Sequence, residues 1–441
     1  MTAAIFYPTL PSPDDATDSI QEAIDLCHLH GGGQVVIPPG LHHISSLELK
    51  SNVELHLHSA AILQGIFNSP KYRAIKPEEH EMTALIFACD AENISLTGNG
   101  TIDAQGFKYW EKLDKPRTGR KDYEEVGAIQ FWYQHLTNLH KPHRLLAFLR
   151  CKNLKIQDLH LTNAVSWTCH LIGSENIKIR GLNITNPIEG PNTDGIDIDG
   201  SSDVFISDCS ITTGDDAIVL KNKNIFPLHK AIRNVTVTNC RFTTGCNGFK
   251  IGTETEDDVE NICVSNCSIY SPDDFSLMKR CITGIAIESV DGGHVRNVVC
   301  SNITMINART PLFIRLGAML RGKRSSAGSI KGVSLSNIVA TGATHPSVIS
   351  GIPGHVIENV QMNQIQIESK GGYTENPDAL QPVPEHPADY PEVFMFGTVP
   401  ASILYLRHVK RLDIGSFFTE LKQTDARPLI FKDDVENFSS Q

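Results

Sequence analysis

A six-residue pattern recurs through most of this chain and leaves few folds open to it. Asn153-Leu-Lys-Ile-Gln-Asp158 is matched by Asn176-Ile-Lys-Ile-Arg-Gly181, Asp203-Val-Phe-Ile-Ser-Asp208, Asn234-Val-Thr-Val-Thr-Asn239 and Asn261-Ile-Cys-Val-Ser-Asn266. Asn297-Val-Val-Cys-Ser-Asn302, Gly332-Val-Ser-Leu-Ser-Asn337 and Asn359-Val-Gln-Met-Asn-Gln364 continue it, at spacings of about 23 to 36 residues. Such periods mark stacked supersecondary units. Apolar and polar residues alternate within each copy, which is strand periodicity. Asn or Asp closes the copy at Asp158, Asp208, Asn239, Asn266, Asn302 and Asn337. These residues tolerate the left-handed backbone of a sharp corner, and their side chains can bond the copies above and below. The next position carries Cys209, Cys240, Cys267, Ile303 and Ile338, an inward-facing stack. The pattern predicts an all-β, right-handed parallel β-helix. Leucine-rich and helical repeats fit worse, since neither a regular Leu pattern nor a 3.6-residue period is present.

At 441 residues the chain has ample length for a large core, and a repeat array grows by adding turns. Residues 1–441 are therefore read as a single domain. Its net charge of −11, with no basic run, argues against nucleic acid or an anionic membrane surface as partner. No apolar stretch is long enough for a spanning helix. The opening MTAAIFYPTLPSPDD lacks the basic and apolar regions of a signal peptide, so a cytoplasmic location is expected. The eleven cysteines fall at repeat positions rather than in bridging pairs and are expected to be reduced core residues. No CxxC or Cys/His ligand spacing occurs, so neither a metal nor a cofactor is expected.

Residues 17–30 read as an amphipathic helix capping the first coil. Ile20, Ala23, Ile24 and Cys27 lie at helical spacing, Ser19 and Glu22 are placed for a capping box, and Gly31-Gly-Gly33 stops the helix. Two segments break the repeat: 106–142, rich in charge and aromatics, and 371–400, rich in Pro and acidic residues. Loops of such length are commonly functional, and walls of a substrate cleft are the expected role. Strand character resumes at Ser402–Arg407 and Arg411–Ile414.

The chemistry concentrates in Asn192–Lys221, NTDGIDIDGSSDVFISDCSITTGDDAIVLK. An Asn-Thr-Asp turn is followed 21 residues later by a Gly-Asp-Asp turn, placing Asp194, Asp215 and Asp216 on successive coils. Opposed carboxyl groups are the minimal apparatus for breaking a glycosidic bond.

These motifs carry a resemblance. With Gly98-Asn-Gly-Thr-Ile-Asp103, Ser166-Trp-Thr-Cys-His170 and the opening Ile-Gln-Glu-Ala-Ile-Asp…Gly-Gly-Gly, the chain resembles glycoside hydrolase family 28, the polygalacturonase-like pectin hydrolases. The resemblance implies a pectin-lyase-like solenoid and hydrolysis with inversion. Asp215 would be the general acid, and Asp194 and Asp216 would activate the water. An inverting pair needs a gap of roughly 6.5–9.5 Å to admit that water. Clustered carboxylates ionise at a cost, so one is expected to keep a proton.

The chain departs from the family at the next two coils. Where a Gly-His-Gly turn is usual, Gly245-Cys-Asn-Gly-Phe-Lys-Ile-Gly252 places Asn247 at the His position. Where Arg-Ile-Lys holds a galacturonate carboxylate, Gly284-Ile-Ala-Ile-Glu-Ser289 places Ala286 and Glu288. Glu288 would repel a uronate and accept hydrogen bonds from sugar hydroxyls. A neutral or deoxy glycone such as galactose or rhamnose is therefore expected, in a rhamnogalacturonan-type or side-chain substrate cleaved from the end. The expected substrate contacts are Asn192, Asn247, Lys250, Glu288, Lys221, His170, Trp167, Arg315 and Arg321. A polysaccharide lyase and a non-catalytic carbohydrate-binding β-helix remain as alternatives. The oligosaccharide is the one partner expected.

Overall fold

A computed structural model describes residues 4–9, 14–76, 78–117, 127–226 and 228–440. Strand accounts for 53% of the structure and helix for 8%, and the fold is the expected parallel β-helix. The described residues form two compact units. Those of Met1–Glu124, Ile129–Asp215 and Asn224–Leu228 make the first, and those of Glu125–Ala128, Asp216–Lys223 and His229–Gln441 the second.

In the first unit Lys152–Gln157 pairs in parallel with Glu92–Gly98 on one side and Glu175–Arg180 on the other. The register puts Leu154 against Ile94 and Ile177, and Ile156 against Leu96 and Ile179. In the second unit Val259–Tyr270, His294–Ile306 and Ser329–Ala343 stack in order, aligning Ile262, Val298 and Val333. Cys267, Ile303 and Ile338 align in the same way, so the inward stack read from the sequence is present there. Each such side chain is buried, which stabilises by about 1.5–3 kcal/mol per large aliphatic residue.

The corners follow the sequence as well. Asp158, Asp208, Asn239, Asn266, Asn302 and Asn337 all have φ between 51° and 60°. A second left-handed column, not anticipated, runs through the first residue of each repeat: Asn153, Asn176, Asp203, Asn234, Asn261, Asn297 and Asn359. Its amides form ladders. Nδ2 of Asn153 donates to Oδ1 of Asn93 at 2.9 Å, and Nδ2 of Asn261 to Oδ1 of Asn234 at 3.2 Å. The eleven cysteines are all free thiols, and Cys89 and Cys263 alone among them are only partly buried.

The cap helix spans Thr17–Leu29 and buries Ile20, Ala23, Ile24 and Cys27. The capping box is not formed. The helix starts two residues before Ser19, from Ala16, and Oδ1 of Asp15 takes the Thr17 N–H at 3.0 Å instead. The segment 106–142 carries an antiparallel pair, Trp110–Lys112 with Tyr133–His135, and its residues 118–126 lie outside those described. The segment 371–400 ends in Val393–Phe396, a 3-10 turn whose four side chains are all buried. The two tail strands expected separately merge as Leu404–Ile414, and two further strands follow, Phe417–Gln423 and Ile430–Ser440. Those two alternate mostly between exposed and half-buried positions, so their sequence lacks a strong apolar period.

Candidate active site

In the first unit, Thr193 ties the Asn-Thr-Asp turn to the residue preceding Asp215. Its Oγ1 donates to the Gly190 carbonyl at 2.9 Å and accepts the Gly214 N–H at 3.0 Å. Gly214 is required by this closeness, because a Cβ there would lie 2.3 Å from the Gly190 oxygen. Asn192 sits at φ 54°, and its Nδ2 donates to Oδ2 of Asp215 at 3.3 Å. Thr213 Oγ1 donates to the Asp215 carbonyl at 2.7 Å. Asp194 is buried, while Asp215 is partly open to solvent.

Asp194 shares its surroundings with two more buried acids, Asp197 and Asp199, and with Arg144. Burial lowers the Arg144 guanidinium to about 10, and the three carboxylates oppose that fall. Arg144 therefore stays charged at neutral pH. It is held by His170, whose Nδ1 faces the Arg144 Nε at 3.1 Å and whose Nε2 lies 3.2 Å from Oδ2 of Asp199. The guanidinium stacks 3.9 Å above the Trp167 ring. This corrects the expectation for His170 and Trp167. Instead of lining a cleft they are buried, the histidine at 0% exposure, and they orient Arg144.

Asp216 belongs to the second unit and is buried. Its Oδ1 accepts the backbone N–H of Asn247 at 3.2 Å and Asn247 Nδ2 at 2.6 Å. Its Oδ2 lies 3.5 Å from Lys250 Nζ, and the same ammonium lies 3.9 Å from Oε2 of Glu288. These protein donors offset the charge of Asp216. Parallel register builds the group, setting Lys250 beside Ala286 on the adjacent strand, two residues before Glu288. Gly252, at φ 111°, leaves the room that Glu288 fills, since a Cβ there would lie 2.9 Å from that of Glu288. Burial pushes the Glu288 carboxyl up to about 8; Lys250 opposes the rise, while Asp216 and Glu392 add to it. Tyr390, from the 371–400 segment, places its ring 5.8 Å from Lys250 Nζ.

The remaining expected cations have other occupations. Arg315 is buried, and its guanidinium donates to Ser350 Oγ and to the carbonyls of Gly351, Glu385 and His386. It clamps the 371–400 segment rather than a substrate carboxylate. Arg321 forms a two-pronged pair with Asp291. Lys221 is buried near Glu254. Burial would raise the Glu254 carboxyl, but Lys221, Lys223 and Arg321 outweigh it and hold it below its usual value.

The profile of Glycosyl hydrolases family 28 matches residues 27–384. The chain belongs to that family. A probable polygalacturonase of Vitis vinifera is 30% identical over 220 residues, covering 47% of this chain and 41% of the relative. A probable polygalacturonase of Arabidopsis thaliana is 25% identical over 345 residues, covering 74% and 65%. The chain thus spans less than two thirds of the length of either. A family 28 exopolygalacturonase structure from Yersinia enterocolitica superposes with a TM-score of 0.71, covering 99% of this chain and 78% of that one. At 18% identity this likeness speaks for the fold alone.

Sequence reasoning missed Arg144, Asp197, Asp199, Glu254 and the second left-handed column. A signal existed for Arg144, a charged residue opening the otherwise apolar run RLLAFL.

Proposed function

We propose that the chain is an O-glycosyl hydrolase acting on pectin-derived oligosaccharides. Asp215 protonates the leaving oxygen, and Asp194 and Asp216 hold and deprotonate the attacking water, with inversion at the anomeric carbon. Family membership supports the reaction class. The partial exposure of Asp215 supports its part, since the acid must meet the substrate.

The observation that carries the substrate reading is the Asp216–Lys250–Glu288 group. Lys250 is already flanked by two carboxyl groups, so a uronate carboxylate gains little there. A glycone with hydroxyls and no charge, such as galactose or rhamnose, suits a site lined by Asn247 and Glu288. We place that glycone at a chain end, cleaved from a rhamnogalacturonan-type or side-chain oligosaccharide.

A panel of defined pectic oligosaccharides, followed by NMR of the anomeric protons, tests this reading. Release of a neutral sugar with inverted configuration is expected, unaffected by a chelator. Retained configuration would contradict the roles given to Asp194, Asp215 and Asp216. An unsaturated, ultraviolet-absorbing product would indicate a lyase. The Asp215→Asn variant should lose at least a thousandfold in kcat while still binding the oligosaccharide.

A further inference from the structure

The 106–142 segment grips the Asn-Thr-Asp turn through two side chains. Gln130, only 1% exposed, accepts the backbone N–H of Asn192 on its Oε1 at 2.9 Å. The same oxygen accepts Arg117 Nη2 at 3.3 Å, while Arg117 Nη1 donates to Oδ1 of Asn192 at 3.3 Å. Asn192 Nδ2 then donates to Oδ2 of Asp215. Nitrogen and oxygen of an amide have nearly the same shape, so their partners decide which way it points. A guanidinium can only donate, so Arg117 draws the Asn192 oxygen and leaves the NH2 for Asp215. The opposite orientation would set donor against donor at Arg117 and acceptor against carboxylate at Asp215.

We infer that Arg117 and Gln130 are positioning residues for the general acid: they fix the Asn192 amide so that its N–H, and not its oxygen, meets Oδ2 of Asp215. This rests on the reading of Asp215 as the acid. When Asp215 gives its proton to the leaving oxygen, the new carboxylate finds the Asn192 donor in place and nothing has to reorient. The inserted segment thus acts on the proton-transfer step and not only on the shape of the cleft.

The test uses the full chain with Arg117→Ala, Gln130→Ala, Arg117→Lys and Gln130→Glu. The side-chain amide resonance of Asn192, assigned by its loss in Asn192→Asp, is followed by NMR in each. Both alanine variants are expected to shift it toward the free-amide position, and the two conservative variants to recover most of that shift. On whichever panel oligosaccharide the wild type hydrolyses, both alanine variants should lose about tenfold in kcat with KM little changed. An Asn192 resonance unmoved in both alanine variants overturns the inference, whatever the activity. Unchanged turnover in Asp215→Asn overturns the hydrolase reading instead, and the assignment with it.

Discussion

The two units solve one electrostatic problem in different ways. In the first unit three buried acids, Asp194, Asp197 and Asp199, gather around Arg144. In the second, Asp216 and Glu288 flank Lys250. The first keeps its cation in place with an aromatic face and a histidine brought over by the neighbouring strand pairing. The second sets its cation by strand register and relieves the surplus acid by protonation, with Glu288 pushed up to about 8 by burial. Buried charges tolerate each other when a counter-charge is fixed or a proton is retained. The Arg144 group uses the first device and the Lys250–Glu288 group the second.

Removing the cation from each half is the severest way to break the comparison. Arg144→Met leaves three buried carboxylates without that guanidinium, and Lys250→Met leaves one carboxylate beside a carboxyl that is largely protonated at neutral pH. Both should destabilise, by about 3–5 kcal/mol in the first case and less in the second. Denaturant unfolding of the two variants at pH 7 measures the order. Equal losses would mean that Glu288 is ionised in the folded chain. Activity should fall in both, since Asp194 and Asp216 would each lose a neighbouring cation.

Glu288→Gln sharpens the same point through pH. The folded carboxyl titrates near 8, against an ordinary value of 4.5. Between those values the folded chain holds a proton that the unfolded chain has lost, so stability falls as pH rises through that window and levels off above it. Glutamine removes this slope. The variant should match the wild type near pH 4 and exceed it near pH 9 by on the order of a few kcal/mol. Unfolding curves across that range check the prediction, and parallel curves would refute it.

These contrasts also show what the sequence could convey. Corners, inward stacks and the Asp194, Asp215 and Asp216 motifs were legible because each is local and repeats at a fixed place in the coil. Glu288 and Lys250 were legible once the repeats were aligned, because register carries them onto neighbouring strands. Gln130 was not, for its bond to Asn192 bridges 62 residues from a segment outside the repeat. Arg315 and His170 were expected at the substrate, and the structure gives each of them protein partners. Strand alternation states which face a residue takes, and says nothing of what waits there. For Arg315 that was the carbonyls of Glu385 and His386, 70 and 71 residues away.

The smallest effect compares the corner ladders of the two units. Asn153 in the first unit and Asn261 in the second occupy equivalent corners, at φ 56° and 62°. Each donates to the amide below and accepts from the one above, at 2.9 and 2.6 Å for Asn153 and at 3.2 and 3.1 Å for Asn261. Alanine at either position loses both bonds and holds an ordinary residue in a left-handed corner, a cost of about 1–2 kcal/mol. Glycine loses the bonds but is at ease in that conformation, so it should cost less than alanine. Thermal or denaturant unfolding should therefore give nearly equal alanine losses in the two units, with the alanine-to-glycine difference isolating the backbone term. A loss confined to one unit would show that the ladders differ in weight although their geometry agrees, and that the contrast between the halves reaches below the site into the coils that carry it.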